Sequence, residues 1–420
     1  MNRRILLLAT DLEIGGTPNV VRELAIRLND PPKVTVEVAC LSLWGPVATD
    51  LADAGIHVTS LDALGQLDVA VIGRLRRLIR QREYDTVYSL LVHANAAAAV
   101  GLIGLRGVRQ FQSIQTTQPR PKWHWKVQAV AQRRAEAVVV PSQSAAAVAR
   151  DWAHVPAPKI VVIPNAVDVA SFGRTGPSSP SPCTQGEGRG EGSEAMIERE
   201  DRSTAVRPSP YPSPWVQGEG TRDGDPPNAL RVGFIGRLDP IKRVVDLVRA
   251  AAVVGERATV DIYGDGPDRA AIRREIAASG VERLVRMHGV IAGPRDVLGD
   301  LDVLVLPSDA EGFGLVLIEA MAAGVAVVGT DVAGIRDVVE DDVTGMLVPP
   351  RNPLVLAAAI VRLAEDEALW RRLVVGAAVA VKAKYDWSVV LPRYRQLLGI
   401  ERESDCPIAA APSADGALPS

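Results

Sequence analysis

Two acidic and two basic side chains stand where they could hold a phosphorylated ligand. Glu311 and Glu319 bracket the run Gly312-Phe313-Gly314-Leu315, while Arg237 and Lys242 follow the β-rich stretch Arg231 to Ile235 and the turn at Gly236. A helix start offers free amides and the positive end of a dipole to anionic oxygens. Beside it, Arg237 can grip a diphosphate with its planar fork and Lys242 can act as a point charge. Two cations near a turn are, by themselves, more often a solvent-facing pair. Two carboxylates alone could also flank a bond as acid and base in a hydrolysis. Taken together the four suggest a nucleoside diphosphate sugar. Glu319 could accept from the vicinal hydroxyls of a ribose and Glu311 from those of a sugar, each charge-assisted bond contributing about 1.5 to 3 kcal/mol. Without side chains, Gly312 and Gly314 would let the amides of Phe313, Gly314 and Leu315 approach the sugar and distal phosphate.

The elements around these residues predict how they are positioned. A buried run, Leu301 to Leu306, feeds the turn, so both acids should lie at the carboxyl end of a parallel sheet, where open α/β folds bind ligands. Glu311 falls in the loop and Glu319 inside the helix that follows. Residues 4 to 165 alternate strand-like runs (Ile5 to Ala9, Val34 to Leu41, Thr86 to Leu91, Gln110 to Gln115, Val138 to Val140, Ile160 to Ile163) with helical patterns. Residues 230 to 365 repeat the scheme with Arg231 to Ile235, Thr259 to Tyr263, Leu284 to His288, Val303 to Leu306, Val325 to Gly329 and Met346 to Val348. The expectation is an α/β protein of two doubly wound, Rossmann-like domains, residues 1–172 and 230–380, facing a central cleft.

Residues 173–229 are rich in Pro, Gly, Ser and Glu, and repeat a nine-residue phrase: Pro180 to Gly188 returns as Pro212 to Gly220. Such a composition cannot offset the entropy of ordering, and is read as a disordered low-complexity insert; residues 401–420 are read as a similar tail. Apolar residues make up 47% of the 420, enough for sizeable cores, and no run approaches the roughly 18 residues of a membrane span. The short apolar run after Arg3-Arg4 is closed by Asp11 and reads as a first strand rather than a signal peptide, implying a cytoplasmic protein. Cys40, Cys183 and Cys406 lack metal-ligand spacing and suggest neither zinc nor a disulfide framework. The net charge of −3 divides unevenly: residues 1–170 carry 19 Lys+Arg against 14 Asp+Glu, or +5, leaving −8 for the rest. A basic first half favours an anionic partner such as a lipid phosphate, although a solvated basic face is the commoner cause.

These motifs resemble the GT-B glycosyltransferases, specifically the large retaining family 4 group, whose signature is a Glu, seven intervening residues and a second Glu. The resemblance is strongest from Val232 to Pro350, including Tyr263-Gly264-Asp265-Gly266-Pro267, Leu306-Pro307-Ser308 and Glu319-Ala320-Met321-Ala322-Ala323-Gly324. It implies that Arg237 and Lys242 hold the donor diphosphate, Glu319 the ribose, and Glu311 with the following amides the transferred sugar. The base would lie near His288 to Ile291, and residues 381–400 would form a helix returning to the first domain. No metal or other cofactor is implied, since two fixed cations and a helix terminus can neutralise a diphosphate. The implied partners are a nucleotide-sugar donor and a hydroxyl acceptor, whether glycan, lipid-linked or small molecule, with no nucleic acid. Ala326 departs from a usual Pro and Ala333 from a usual Gly.

In the first half, Ile14-Gly15-Gly16-Thr17-Pro18 predicts a turn with Thr17 as N-cap and Pro18 at the first helical position. A bland tight turn fits nearly as well, but the family turns this loop, with Gly15 and Gly16, towards donor and acceptor. A dinucleotide fingerprint is absent. His93-Ala94-Asn95 matches a stretch found in part of the family, which makes His93 and Asn95 candidate sugar or acceptor contacts; a structural histidine at a helix start is the alternative. Gln115 stands where similar proteins often have a His. It can hydrogen-bond there but cannot ionise.

Pro121-Lys122-Trp123-His124-Trp125-Lys126 with Arg133-Arg134, and Arg74 to Arg80, interleave cations with apolar residues as interfacial segments do, opening peripheral contact with a membrane. Asp300-Leu301-Asp302 mimics a metal-binding Asp-x-Asp but opens a buried strand, and is read as structural. Two rivals keep the same fold: a nucleotide-sugar 2-epimerase, which needs extra acid/base groups, and a non-catalytic partner subunit, whose mark would be loss of a donor residue.

Overall fold

The computed structural model describes residues 3–42, 44–65, 68–118, 121–172 and 226–400. Residues 173–225 of the expected insert, the expected tail, Cys183 and Cys406 lie outside them.

The first domain has seven parallel strands: β1 (Arg3–Ala9), β2 (Val34–Cys40), β3 (Val58–Ser60), β4 (Thr86–Leu90), β5 (Arg109–Ser113), β6 (Ala137–Val140) and β7 (Ile160–Val162). Their order is β3-β2-β1-β4-β5-β6-β7, so the chain reverses direction across the sheet between β1 and β4. Alternation explains the layering. Ile5 and Leu7 of β1 face a core that includes Val20 and Leu24 of the helix Gly16–Leu28, whereas Leu6 and Leu8 face Leu75 of the helix Ala70–Arg82 and Ala98 of the helix Val92–Gly101. β3 was not anticipated. With three residues at the sheet edge it is too short to show a period.

The second domain has six parallel strands: β8 (Leu230–Ile235), β9 (Ala258–Tyr263), β10 (Val285–Gly289), β11 (Val303–Leu306), β12 (Ala326–Thr330) and β13 (Met346–Val348), ordered β10-β9-β8-β11-β12-β13. Again the order switches beside its first strand, β8. The two sheets give the doubly wound α/β architecture expected from sequence.

The last helix, Trp387–Leu398, crosses back to the first domain. Its Trp387, Val390, Tyr394 and Leu398 lie one face along and join the core of β1 and β4, with Tyr394 against the Tyr88 ring at 6.2 Å. Arg3 and Arg109 both donate to the carbonyl of Leu398, at 3.2 Å each, closing the helix end. The Val167 amide donates to Tyr385 and the Trp387 amide to Val167, so the exit of the first domain and the returning segment are stitched together.

Candidate active site

Loops after β8 and β11 build the first part of the site. Asp239 caps the single turn Pro240–Lys242 by accepting from the Ile241 amide, and the Asp309 amide donates to the Ile241 carbonyl at 2.8 Å, drawing the two loops together. Lys242 consequently meets Glu311: its ammonium pairs with the Glu311 carboxylate. The same Glu311 oxygen accepts from the Ser308 hydroxyl at 3.0 Å. Arg237 stands apart, its side chain 72% exposed, with Asp239 at 3.7 Å. Gly236 continues the β8 strand pairing, its amide donating to Tyr263 at 3.0 Å.

The backbone after Glu311 is pressed against the first domain. Thr117 donates its hydroxyl to the Glu311 carbonyl at 2.5 Å, and Ser142 approaches the Gly312 carbonyl at 3.4 Å. A Cβ on Gly312 would lie 2.3 Å from the carbonyl oxygen of Gln115, a distance no side chain tolerates, so glycine is required by this close approach. Gly314 is left-handed (φ 76°) and caps the helix Leu315–Ala322, whose first amides have no partner within the helix. The Phe313 ring is buried edge-on to Tyr385 at 5.5 Å; its side chain is packing, and only its backbone is turned to the loop's work.

Glu319, one turn into that helix, lines a cavity of about 260 Å³ together with Leu315, Arg295, Trp387 and, from the helix Gly16–Leu28, Asn19 and Arg22. Burial pushes the Glu319 carboxyl up to about 7 although Arg295 and Arg22 pull it down. Arg295 also lies over the Phe172 ring at 4.7 Å. Gly15 and Gly16 supply the start of the helix that carries Asn19 and Arg22. That helix begins earlier than expected: Gly15 is the N-cap and Gly16 the first residue, with no side-chain cap. Thr17 and Pro18 therefore fall inside the first turn, where a missing N–H goes unnoticed.

The remaining candidates sit elsewhere. Asn95 is fully buried; it accepts from Ser89 at 2.8 Å and donates to the Ser113 carbonyl at 3.0 Å and Gln128 at 2.9 Å. Those bonds satisfy an interior network rather than a ligand. Gln115 donates to Ser113 at 2.8 Å and accepts from Asn165 at 3.1 Å, a strut between the β5 loop and the domain exit. His93 packs edge-on against Trp123 (5.7 Å) and His124 (5.2 Å), and burial lowers its pKa. Asp302 is held by Arg231 at 2.8 Å and 3.1 Å, which accounts for the false Asp-x-Asp. His288, near the expected base position, stacks on Tyr263 at 4.6 Å and bonds Asp261 at 2.6 Å. The Ala326 amide donates to Asp302 at 3.1 Å, a bond that proline could not make, and the Ala333 carbonyl accepts from Ser144 at 3.1 Å across the domains.

Sequence reasoning missed the part played by Thr117 and Ser308, although both lie in stretches it singled out. It missed Arg22 and Arg295 entirely, since nothing local marks two arginines that meet only when the domains dock.

Two doubly wound domains with the cluster at their facing loops define a GT-B fold. It is shared with Anabaena HepE, solved with UDP-glucose (TM-score 0.75, 21% identity, covering 94% of this chain and 99% of that one), and with sucrose-phosphate synthase from Thermosynechococcus elongatus (TM-score 0.70, 20% identity, 95% and 100%). The profile described as Glycosyltransferase Family 4 matches residues 14–171, and that described as Glycosyl transferases group 1 matches residues 229–366. The chain belongs to this glycosyltransferase family. It is similar to the alpha-D-kanosaminyltransferase of Streptomyces kanamyceticus, 35% identical over 177 residues, which are 40% of this chain and 45% of that protein. It is also similar to the D-inositol 3-phosphate glycosyltransferase of Frankia alni, 33% identical over 217 residues, 44% of this chain and 52% of that one. The chain thus spans about half the length of the curated relatives it matches.

Proposed function

We propose that the protein moves a sugar from a nucleoside diphosphate sugar to a hydroxyl acceptor with the anomeric configuration kept. The observation that carries this reading is the convergence of Lys242, Ser308 and Glu311 at the cleft, with Glu319 at a separate cavity one helical turn further on. The spacing divides a donor: its ribose at Glu319, its diphosphate at Arg237, Lys242 and the helix amides, its sugar at Glu311 and the Gly312 to Leu315 backbone.

As the bond from sugar to diphosphate breaks, negative charge grows on the leaving oxygens. Lys242 is already oriented by Glu311 and needs no large rearrangement to meet that charge. Arg237, exposed at the cleft rim, adds a second cation. The acceptor proton passes to the leaving diphosphate on the same face, so no side chain has to become a covalent nucleophile. Metal is not required for charge neutralisation in this scheme. The transferred group is a hexose, and the reaction serves glycan assembly on the cytoplasmic side.

HepE was solved with UDP and UDP-glucose, so uridine diphosphate sugars are the first donors to try. The test follows release of nucleoside diphosphate from uridine and guanosine diphosphate sugars with and without acceptors, in EDTA, with Glu319→Ala as control. Acceptor-dependent release that survives EDTA supports the reading. Conversion of the donor sugar without any acceptor would instead identify an epimerase.

A further inference from the structure

Four helices cover one face of the first domain; three of them pack side by side, Ala70–Arg82, Val92–Gly101 and Lys122–Ala131, and the fourth, Gln143–Ala153, borders them with an Arg150–Asp151 pair at 2.8 Å. Together the three contain seven Lys+Arg and no Asp or Glu. The middle helix is uncharged but for its neutral His93, and its outward positions are Ala96, Ala99 and Val100. Exposed cations flank it: Arg77 and Arg80 on one side, Lys122, Lys126 and then Arg133 on the other. None of these five forms an ion pair among the described residues. Several cations elsewhere in the same domain are neutralised, as Arg22 is by Asp50 at 3.0 Å and Arg27 by Asp168 at 2.9 Å.

Apolar groups share this face. Ile103 and Val130 are more than 60% exposed, and Val100 and Trp123 nearly half, with the Trp123 ring held between His93 and His124. What sets this face apart is the clustering of aliphatic side chains with unpaired cations of one sign. A nucleic-acid surface would use the cations but has no use for Val100, Ile103 and Val130. A bilayer interface uses both: lipid phosphates meet Lys and Arg while aliphatic and Trp side chains enter the headgroup boundary.

We propose that the face made by these three helices docks the protein on an anionic lipid bilayer. Each of the three helices starts at the carboxyl edge of its sheet, the edge that also carries the cleft. The proposal rests on charge and exposure and stands independently of the transfer reading.

The test is sedimentation of the full chain with vesicles of phosphatidylcholine alone or mixed with phosphatidylglycerol. Binding is expected only to the mixed vesicles, and salt should release it, because exposed charges are screened. Reversing three cations (Arg77→Glu, Arg80→Glu, Lys126→Glu) should weaken binding roughly a hundredfold, at about fivefold per lost cation before counting repulsion. UDP binding by the same variant should be unchanged, which shows that the fold survives. Absence of binding to phosphatidylglycerol vesicles, equal binding by the reversed variant, or preferential capture by single-stranded RNA would each overturn the proposal.

Discussion

The Lys242 ammonium rests on the Glu311 carboxylate, joining a residue from the turn after β8 to one from the loop after β11. Neither is free to wander, because Ser308 holds the same carboxylate oxygen and the Asp309–Ile241 backbone bond holds the loops. Lys242→Ala removes the cation that would receive charge on the departing diphosphate. Loss of one such preorganised donor typically costs about 2.7 to 4 kcal/mol of barrier, hence roughly a hundred- to a thousandfold in turnover. Steady-state assays with saturating donor should show that loss while the thermal midpoint moves little. Near-normal transfer by the variant would sink the donor-site reading.

Glu319 gives the site a pH dependence with a definite sign. The unfolded chain releases this proton near 4.5 and the folded protein near 7, so folding takes up a proton between those values. The group's contribution to stability is therefore present at low pH and declines as pH rises from 4.5 through 7. Ribose hydroxyls donate to the ionised form, so nucleotide affinity should rise with pH and level off above about 7, with protons released on binding. Titration calorimetry in two buffers of different ionisation heat measures that release. Glu319→Gln should flatten the profile; a flat profile in the unsubstituted protein contradicts the assignment.

Much of this was legible along the chain because the strands are buried on both faces and read as continuous apolar runs. The strand–turn–helix units at β8 and β11, which carry Arg237, Lys242, Glu311 and Glu319, owe their geometry to residues adjacent in sequence. What escaped depends on long-range docking. Arg22 and Arg295 come from different domains, 273 residues apart in numbering, and only folding brings both to the Glu319 cavity. Asn95 and Gln115 look like ligand-facing polar groups because a sequence shows polarity but not the buried partner, here Gln128 or Asn165, that satisfies it.

Asn95 makes that difference measurable. Removing its carboxamide orphans the Gln128 amide oxygen in the interior, an unsatisfied group costing about 1 to 3 kcal/mol, and takes one of two donors from the Ser113 carbonyl, which keeps the Leu91 amide at 3.2 Å. Asn95→Ala should lower unfolding free energy by about 1 to 3 kcal/mol in urea denaturation, with the KM for acceptor unchanged in the fraction that remains folded. A stable variant with a raised acceptor KM would return Asn95 to the list of ligand contacts.

Thr117 and Gly312 couple the two domains at the loop that holds Glu311. The Thr117 hydroxyl reaches the Glu311 carbonyl, and the Gly312 backbone passes so near the Gln115 carbonyl that no Cβ fits between them. The first domain thus bears directly on the backbone of the residue that orients Lys242. Gly312→Ala must part the loops, and a displacement of about 1 Å in a positioned catalytic group can cost on the order of a hundredfold in rate. Thr117→Val keeps the volume and deletes only the hydrogen bond, so its effect should be smaller and in the same direction. Both variants should keep nucleotide affinity, because the Glu319 cavity is lined by neither residue. Pre-steady-state measurement of sugar transfer alongside equilibrium UDP binding separates the two effects: a fall in transfer with unchanged binding is the expected result, and a parallel loss of both would mean that Thr117 and Gly312 support the fold rather than the alignment of Glu311 with Lys242.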